Sequence, residues 1–426
     1  VATFHRLLLN SLLSGVVATF LWFALTFWVY LATSSVVTTS VVGGAYALFS
    51  AVFGLVFGTY VDHHRKKAAM LLSTMLALGC YLLVGAVYLA VPTEELVRLS
   101  SPWLWVLIVV ALAGTVAGNL RGIALGTCVT LLVPASERDK ANGMVGSVLG
   151  VSFAVTSVLS GLVIGQLGMG WAVLFTVGLT VVALVDLLAI TVPEPRPAGH
   201  AGRRPRVDVR GTWALVAGVP GLTGLILFAA FNNLLGGVFM ALMDAYGLSI
   251  VSVEAWGVLW GFISLAFIAG GLVVARRGLG SRPIRVILVG NAINWTVCVL
   301  FPLRSSIVLL TVAMVIYLAM IPAIEAAEQT VLQRVVPFEQ QGRVFGFAQT
   351  VENAASPLTS FLVGPLTQAA FIPFMTDGRG AELIGGWFGS GRERGIALVF
   401  CVAGVAGMAA TAAARASGWY GRLSRR

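Results

Sequence analysis

Of the 426 residues, 58% are apolar and only 10% charged, with a mean hydropathy of +0.95 and a net charge of +10. A soluble surface needs roughly 25% charged residues, so this balance excludes a soluble globular protein and points to a bilayer as solvent. The surplus cations lie scattered in short loops rather than on one face, which excludes a nucleic-acid-binding surface.

Taken in chain order, apolar runs predict spans at 8–32, 37–61, 68–91, 103–133, 141–164 and 171–192. A second set follows at 214–243, 253–275, 283–303, 306–335, 344–370 and 395–416. The first run is too long for a cleavable signal peptide and has no small-residue cleavage site. Between the two sets, residues 193–213 begin with the Pro-, Gly- and Arg-rich stretch Pro193–Arg210, which has no apolar periodicity and reads as a linker. The expected division is an N-terminal six-helix bundle at 1–192, a cytoplasmic linker at 193–213, and a C-terminal bundle with a short basic tail at 214–426.

Orientation follows from the cations. With both termini cytoplasmic, 21 Lys and Arg fall in cytoplasmic segments and five in external ones, with Arg121 inside a span. The halves also repeat: Thr130–Pro134 precedes a polar run at 135–140, and Leu332–Pro337 precedes another at 338–343. Such a parallel six-helix repeat suggests two bundles rocking about a central site. Cys80, Cys128, Cys298 and Cys401 fall singly in apolar runs without metal-ligand spacing, so they read as packing residues. The sequence has no glycine-rich phosphate loop with Lys, no HExxH and no Ser–His pairing, and therefore no sign of an enzyme or of a cofactor.

Chemistry concentrates at three places. The loop after the second span reads Gly58-Thr-Tyr-Val-Asp62-His-His-Arg65-Lys66-Lys67. Its three cations would orient the chain. Gly58, lacking a side chain, would allow close helix approach, and Asp62 would suit a helix N-terminus, so both form a candidate conformational latch. A purely topogenic loop would need neither the glycine nor the aspartate. Second, Arg121 lies 13 residues before Pro134 and Glu325 lies 12 before Pro337, which puts them at similar depth in the two halves. They are expected to border a central cavity as a substrate or proton site; the alternative is charge buried within its own bundle. Third, Glu328 and Glu352 are candidate proton carriers, because desolvation favours a protonated carboxyl. They could instead neutralise Arg334 or Arg343.

Other features leave alternatives open. The aromatics of the first span (Phe20, Trp22, Phe23, Phe27, Trp28, Tyr30) would line a cavity or anchor the interface. Asn232 and Asn233 would donate into the cavity or mark a break. Asp186 reads as a near-interface residue, Pro322 as a kink before Glu325, and 371–394 as an external loop forming a surface lid.

Gly58-x-x-x-Asp62 with the following basic triplet resembles the signature loop of the major facilitator superfamily. Further pieces in matching order are Leu132-Val-Pro134 leading to Ala141-Asn142-Gly143, Gln333-x-x-Val336-Pro337 leading to Gly342-Arg343-Val344, Ser356-Pro357-Leu358 and Gly364-Pro365. Within that family the chain is most similar to the bacterial drug and siderophore exporters, the macrolide-efflux and enterobactin-exporter branch. It departs at His63, where Arg is usual, at Arg65, which replaces a loop glycine, and at Thr156-Ser157, where antiporters often carry Gly-Pro. The resemblance implies an all-α fold of twelve transmembrane helices and alternating access. It also implies proton-coupled efflux of a small amphipathic drug or siderophore by a monomer in the bacterial inner membrane, with Asp62 latching onto the eleventh span. Uptake symport, facilitation, or a non-transporting receptor or scaffold are the other readings.

Overall fold

The structure, a computed structural model, describes residues 2–33, 36–194 and 207–424, so most of the predicted linker lies outside the described residues. The protein is an all-α, multi-pass membrane protein. Among the described residues, eleven helices are long and apolar enough to cross a bilayer, and α2 adds a shorter apolar stretch, Leu48–His63. In hydrocarbon the backbone must satisfy its own polar groups, so every long apolar run closes into a helix.

The chain order is α1 (Ala2–Thr33), α2 (Val36–His63), α3 (Lys66–Ala90), α4 (Thr93–Leu96), α5 (Pro102–Leu132), α6 (Arg138–Gln166), α7 (Met169–Ala189) and α8 (Val209–Gly218). It continues with α9 (Leu222–Leu248), α10 (Val253–Arg277), α11 (Pro283–Leu300), α12 (Ile307–Val335), α13 (Gln341–Leu366), α14 (Ile372–Thr376), α15 (Arg379–Phe388), α16 (Arg392–Ala416) and α17 (Gly418–Ser424). Breaks occur where local chemistry demands them. Ser101 caps α5, its Oγ accepting from the Trp103 N–H at 3.3 Å, with Pro102 at the first helical position. Pro220 and Gly221, the latter at φ +94°, separate α8 from α9, so the expected span at 214–243 begins later and runs to Leu248. The expected loop at 371–394 is replaced by α14 and α15, preceded by a π-helical turn at Thr367–Phe371.

The sequence repeat has a local counterpart in backbone geometry. Pro134 (φ −55°, ψ 145°) leads through a 3₁₀ turn at Ala135–Glu137 into α6, and Pro337 (φ −56°, ψ 142°) leads through Phe338–Gln340 into α13.

Two compact units divide the chain. The first holds 1–141, 148–213 and 336–350; the second holds 142–147, 214–335 and 351–426. Residues 142–147 of α6 thus group with the second unit while the rest of that helix groups with the first, and α13 groups with the first unit up to 350 and with the second from 351. Core packing in the first unit joins Leu21, Tyr81, Leu107 and Met169; in the second it joins Tyr246, Trp295, Phe301 and Phe400. Large apolar side chains also stay exposed along the spans, among them Val158, Val185, Val258 and Leu362, as a lipid-facing surface requires.

Candidate functional site

Three polar constellations interrupt this apolar fold. The first lies in the first unit, where α2 meets the start of α13. The Asp62 carboxylate accepts the Gly342 N–H at 2.6 Å, the Arg343 N–H at 2.9 Å and Arg343 Nε at 3.2 Å. These amides are the unsatisfied donors at a helix N-terminus, so the carboxylate both caps α13 and complements its dipole. The approach depends on four glycines. A Cβ at Gly58 would fall on the Gly342 carbonyl, and one at Gly342 on the Asp62 carboxylate and the Gly58 carbonyl. One turn along, Gly54 and Gly346 block each other in the same way.

The three loop cations have different fates. Arg65 is exposed at the N-cap of α3. Lys66 is only 5% exposed, donates to the Val61 carbonyl at 2.6 Å and lies 5.2 Å from the Phe338 ring centroid. Lys67 reaches the Leu188 carbonyl at 3.0 Å. Lys66 is therefore a packed member of this constellation. Sequence reasoning missed Glu194, whose carboxylate accepts the backbone N–H groups of Lys66 and Lys67 at 2.5 and 2.8 Å. It caps α3 from just past the end of α7. Its signal was the carboxylate inside Pro193-Glu194-Pro195, the first charge after an apolar span.

The second constellation surrounds Arg121, which is 6% exposed. Its guanidinium donates to Asn10 Oδ1, to Thr74 Oγ1 at 3.0 Å and to Ser11 Oγ at 3.4 Å. Asn10 in turn donates to Asp186 at 2.6 Å and to the Ala183 carbonyl at 2.9 Å. The amide relays charge between Arg121 on α5 and Asp186 on α7, tying α1, α3, α5 and α7 together. The structure thus gives Arg121 its partners within its own unit and gives Asp186 a partner. Truncating Arg121 to Ala removes three hydrogen bonds and strands the buried Asn10–Asp186 pair, an expected loss of about 3 kcal/mol. A thermal-shift measurement on the purified protein should show a lowered Tm, unrestored by Arg121→Lys, which cannot span the same three acceptors.

The third constellation gathers Glu325, Glu328 and Glu352 in the second unit. Glu325 and Glu328 are one turn apart on α12, just after the internal Pro322, and Glu352 faces them from α13. Glu325 is exposed, the other two half-buried. The carboxyls of Glu328 and Glu352 share a hydrogen bond, and Glu328 Oε1 is buried without a partner. No cation among the described residues lies within ion-pair distance of the three, so neither Arg334 nor Arg343 neutralises them; Arg343 is committed to Asp62. A hydrogen bond between carboxyls needs a proton on one of them. Pro322 and Pro357, inside α12 and α13, each leave the carbonyl four residues earlier without its helical donor.

The remaining candidates have structural partners. Asn232 accepts from Trp295 Nε1 at 2.7 Å and donates to the Phe228 carbonyl, pinning α9 to α11. In α1, Phe20 is buried, Trp22 packs on Tyr46 and Trp28 on Tyr88, while the Tyr30 side chain lies outside the described residues.

The sequence profile described as Major Facilitator Superfamily matches residues 7–360. The chain belongs to that superfamily. Among curated relatives of this superfamily member is an uncharacterized MFS-type transporter, y4rN, of Sinorhizobium fredii, 24% identical over 60% of the chain. That match spans 63% of the relative's own length. Macrolide efflux protein A of Enterococcus faecalis is 22% identical over 72% of the chain and 94% of its own length. Among solved structures, the human organic anion transporter MFSD10 superposes with a TM-score of 0.68 at 14% identity, covering 96% of this chain and 97% of its own. The superfamily identifies a transport function rather than a catalytic one: movement of a small molecule across a lipid bilayer by alternating access.

Proposed function

We propose that this superfamily member is a proton-coupled exporter of small amphipathic molecules, acting as a monomer in a bacterial inner membrane with both termini cytoplasmic. The observation that carries the reading is the Glu325–Glu328–Glu352 cluster. Three carboxyls close together in one unit, with no ion pair to any of them among the described residues, form a group that gains and releases protons without an ion pair to break. The same charge suits an amphipathic cation as cargo. The efflux direction is supported by the name of the enterococcal relative, and the cytoplasmic placement of both termini by the bias of 21 to five in the cations. Asp62 at the α13 N-terminus acts as the latch that holds the cytoplasmic ends of α2 and α13 together, released once in each cycle.

The test is transport in proteoliposomes with an imposed pH gradient, screened against a panel of amphipathic amines and macrolides. Movement of at least one compound against its gradient, abolished by an uncoupler, is the expected result. Transport that ignores the uncoupler, or that follows the proton influx, would sink the exporter reading.

A further inference from the structure

The short helix α15 has a charge and burial pattern that the transport cycle does not explain. It joins the α13–α14 segment to α16 through two residues at one end and three at the other. α13 starts beside Asp62 and, at 1.5 Å per residue, its 26 residues carry the chain about 39 Å away from the basic loop. The short links leave α15 no reach beyond the membrane surface on that far side.

Around the helix three strips run in order. Gly380, Ile384 and Phe388 face the protein, with Gly380 and Phe388 buried. Beside them Leu383, 75% exposed, and Trp387, 57% exposed, stand one turn apart on the same stripe. Next come the exposed Arg379 and Glu382. The apolar strip is therefore flanked by protein on one side and charge on the other, as in a helix lying flat at an interface. The links of two and three residues tie the strip to α14 and to α16, which is long and apolar enough to cross the bilayer, so the exposed Leu383 and Trp387 stay at the membrane surface and lipid is the occupant.

The helix is firmly held. Arg394, 3% exposed, donates to the Pro302 carbonyl at 2.7 Å and to Ser305 Oγ at 3.1 Å, and its guanidinium lies 3.9 Å from the Phe388 ring centroid. The Gly391 N–H donates to the Met375 carbonyl at 2.8 Å. The end of α15 is thereby clamped to the α11–α12 connection.

We propose that α15 is an interfacial amphipathic helix that seats Leu383 and Trp387 in the lipid leaflet opposite the basic loop, and that Arg394 transmits this anchorage to the ends of α11, α12 and α16. The test uses spin labels on Leu383→Cys, Trp387→Cys and Glu382→Cys in the full chain, reconstituted in phosphatidylethanolamine–phosphatidylglycerol vesicles, with the labelled parent as background. Power-saturation measurements with oxygen and a nickel chelate should place the labels at 383 and 387 some 5–10 Å below the headgroups, with 382 on the water side. Labels at 383 and 387 as open to the nickel chelate as the one at 382 would overturn the proposal. So would labels shielded from both reagents, which would mean a protein occupant such as a second copy.

Discussion

Replacing Glu328 and Glu352 together by Gln is expected to lower gradient-driven transport by about a hundredfold, the low end of what positioned proton-transfer groups contribute, while substrate counterflow without a gradient persists. Glutamine keeps the length and hydrogen-bonding reach of the side chain but cannot titrate. The amide pair keeps the size and polarity of the side chains between α12 and α13, so folding is preserved and the loss falls on coupling alone. The pH dependence of transport should flatten in the same variant. Glu325→Gln provides the contrast: that residue is exposed, whereas Glu328 and Glu352 are half-buried. Its neutralisation is expected to raise the KM for cationic cargo more than it lowers the maximal rate. Unchanged gradient-driven transport with an unchanged pH profile in Glu328→Gln/Glu352→Gln would remove the cluster from the coupling mechanism.

How much of this site was legible in the sequence depends on the range of the interactions. The spans were legible because hydrocarbon imposes one rule on every residue that crosses it, and the repeat because Pro134 and Pro337 each stop a helix and start a 3₁₀ turn. Asp62 was legible because a carboxylate among cations beside an apolar run has few uses. Facing was not legible. Spacing from a proline gives an expected depth but nothing of rotation, and a single residue turns a side chain by about 100°. Arg121 turns toward Asn10 and Thr74, residues whose polarity looks incidental in their own spans. Glu194 was missed because its partners are backbone amides 127 and 128 residues away, which carry no sequence signature. α15 was read as a loop because three of its ten residues are glycine, which lowers helix propensity; contacts at Gly380 and Phe388 override that preference.

The glycines of α2 and α13 yield the second large effect. Gly54 and Gly58 are spaced four apart, as are Gly342 and Gly346, so each helix presents a small-xxx-small face to the other. Close approach of this kind lets Asp62 reach two amides at once; any side chain pushes the helices apart before the carboxylate can engage. Gly58→Val puts branched carbon onto the Gly342 carbonyl, an overpacking of about 1–3 kcal/mol. Because 1.4 kcal/mol is about a tenfold population change, the engaged state should lose about ten- to a hundredfold in weight. Hydrogen exchange reads this directly, since the Gly342 and Arg343 N–H groups are protected by Asp62. Peptides covering 338–346 should exchange faster by that factor in Gly58→Val, and less so in Asp62→Asn, which keeps an acceptor but loses the charge. Exchange elsewhere in α3 and α5 serves as the control for folding. If 338–346 exchanges at the wild-type rate while the valine variant remains folded, the contact is ornamental and the latch must lie elsewhere. If it speeds up and vectorial transport falls with it, the glycine face is the part of the loop that sets how long the end of α2 and the start of α13 stay together.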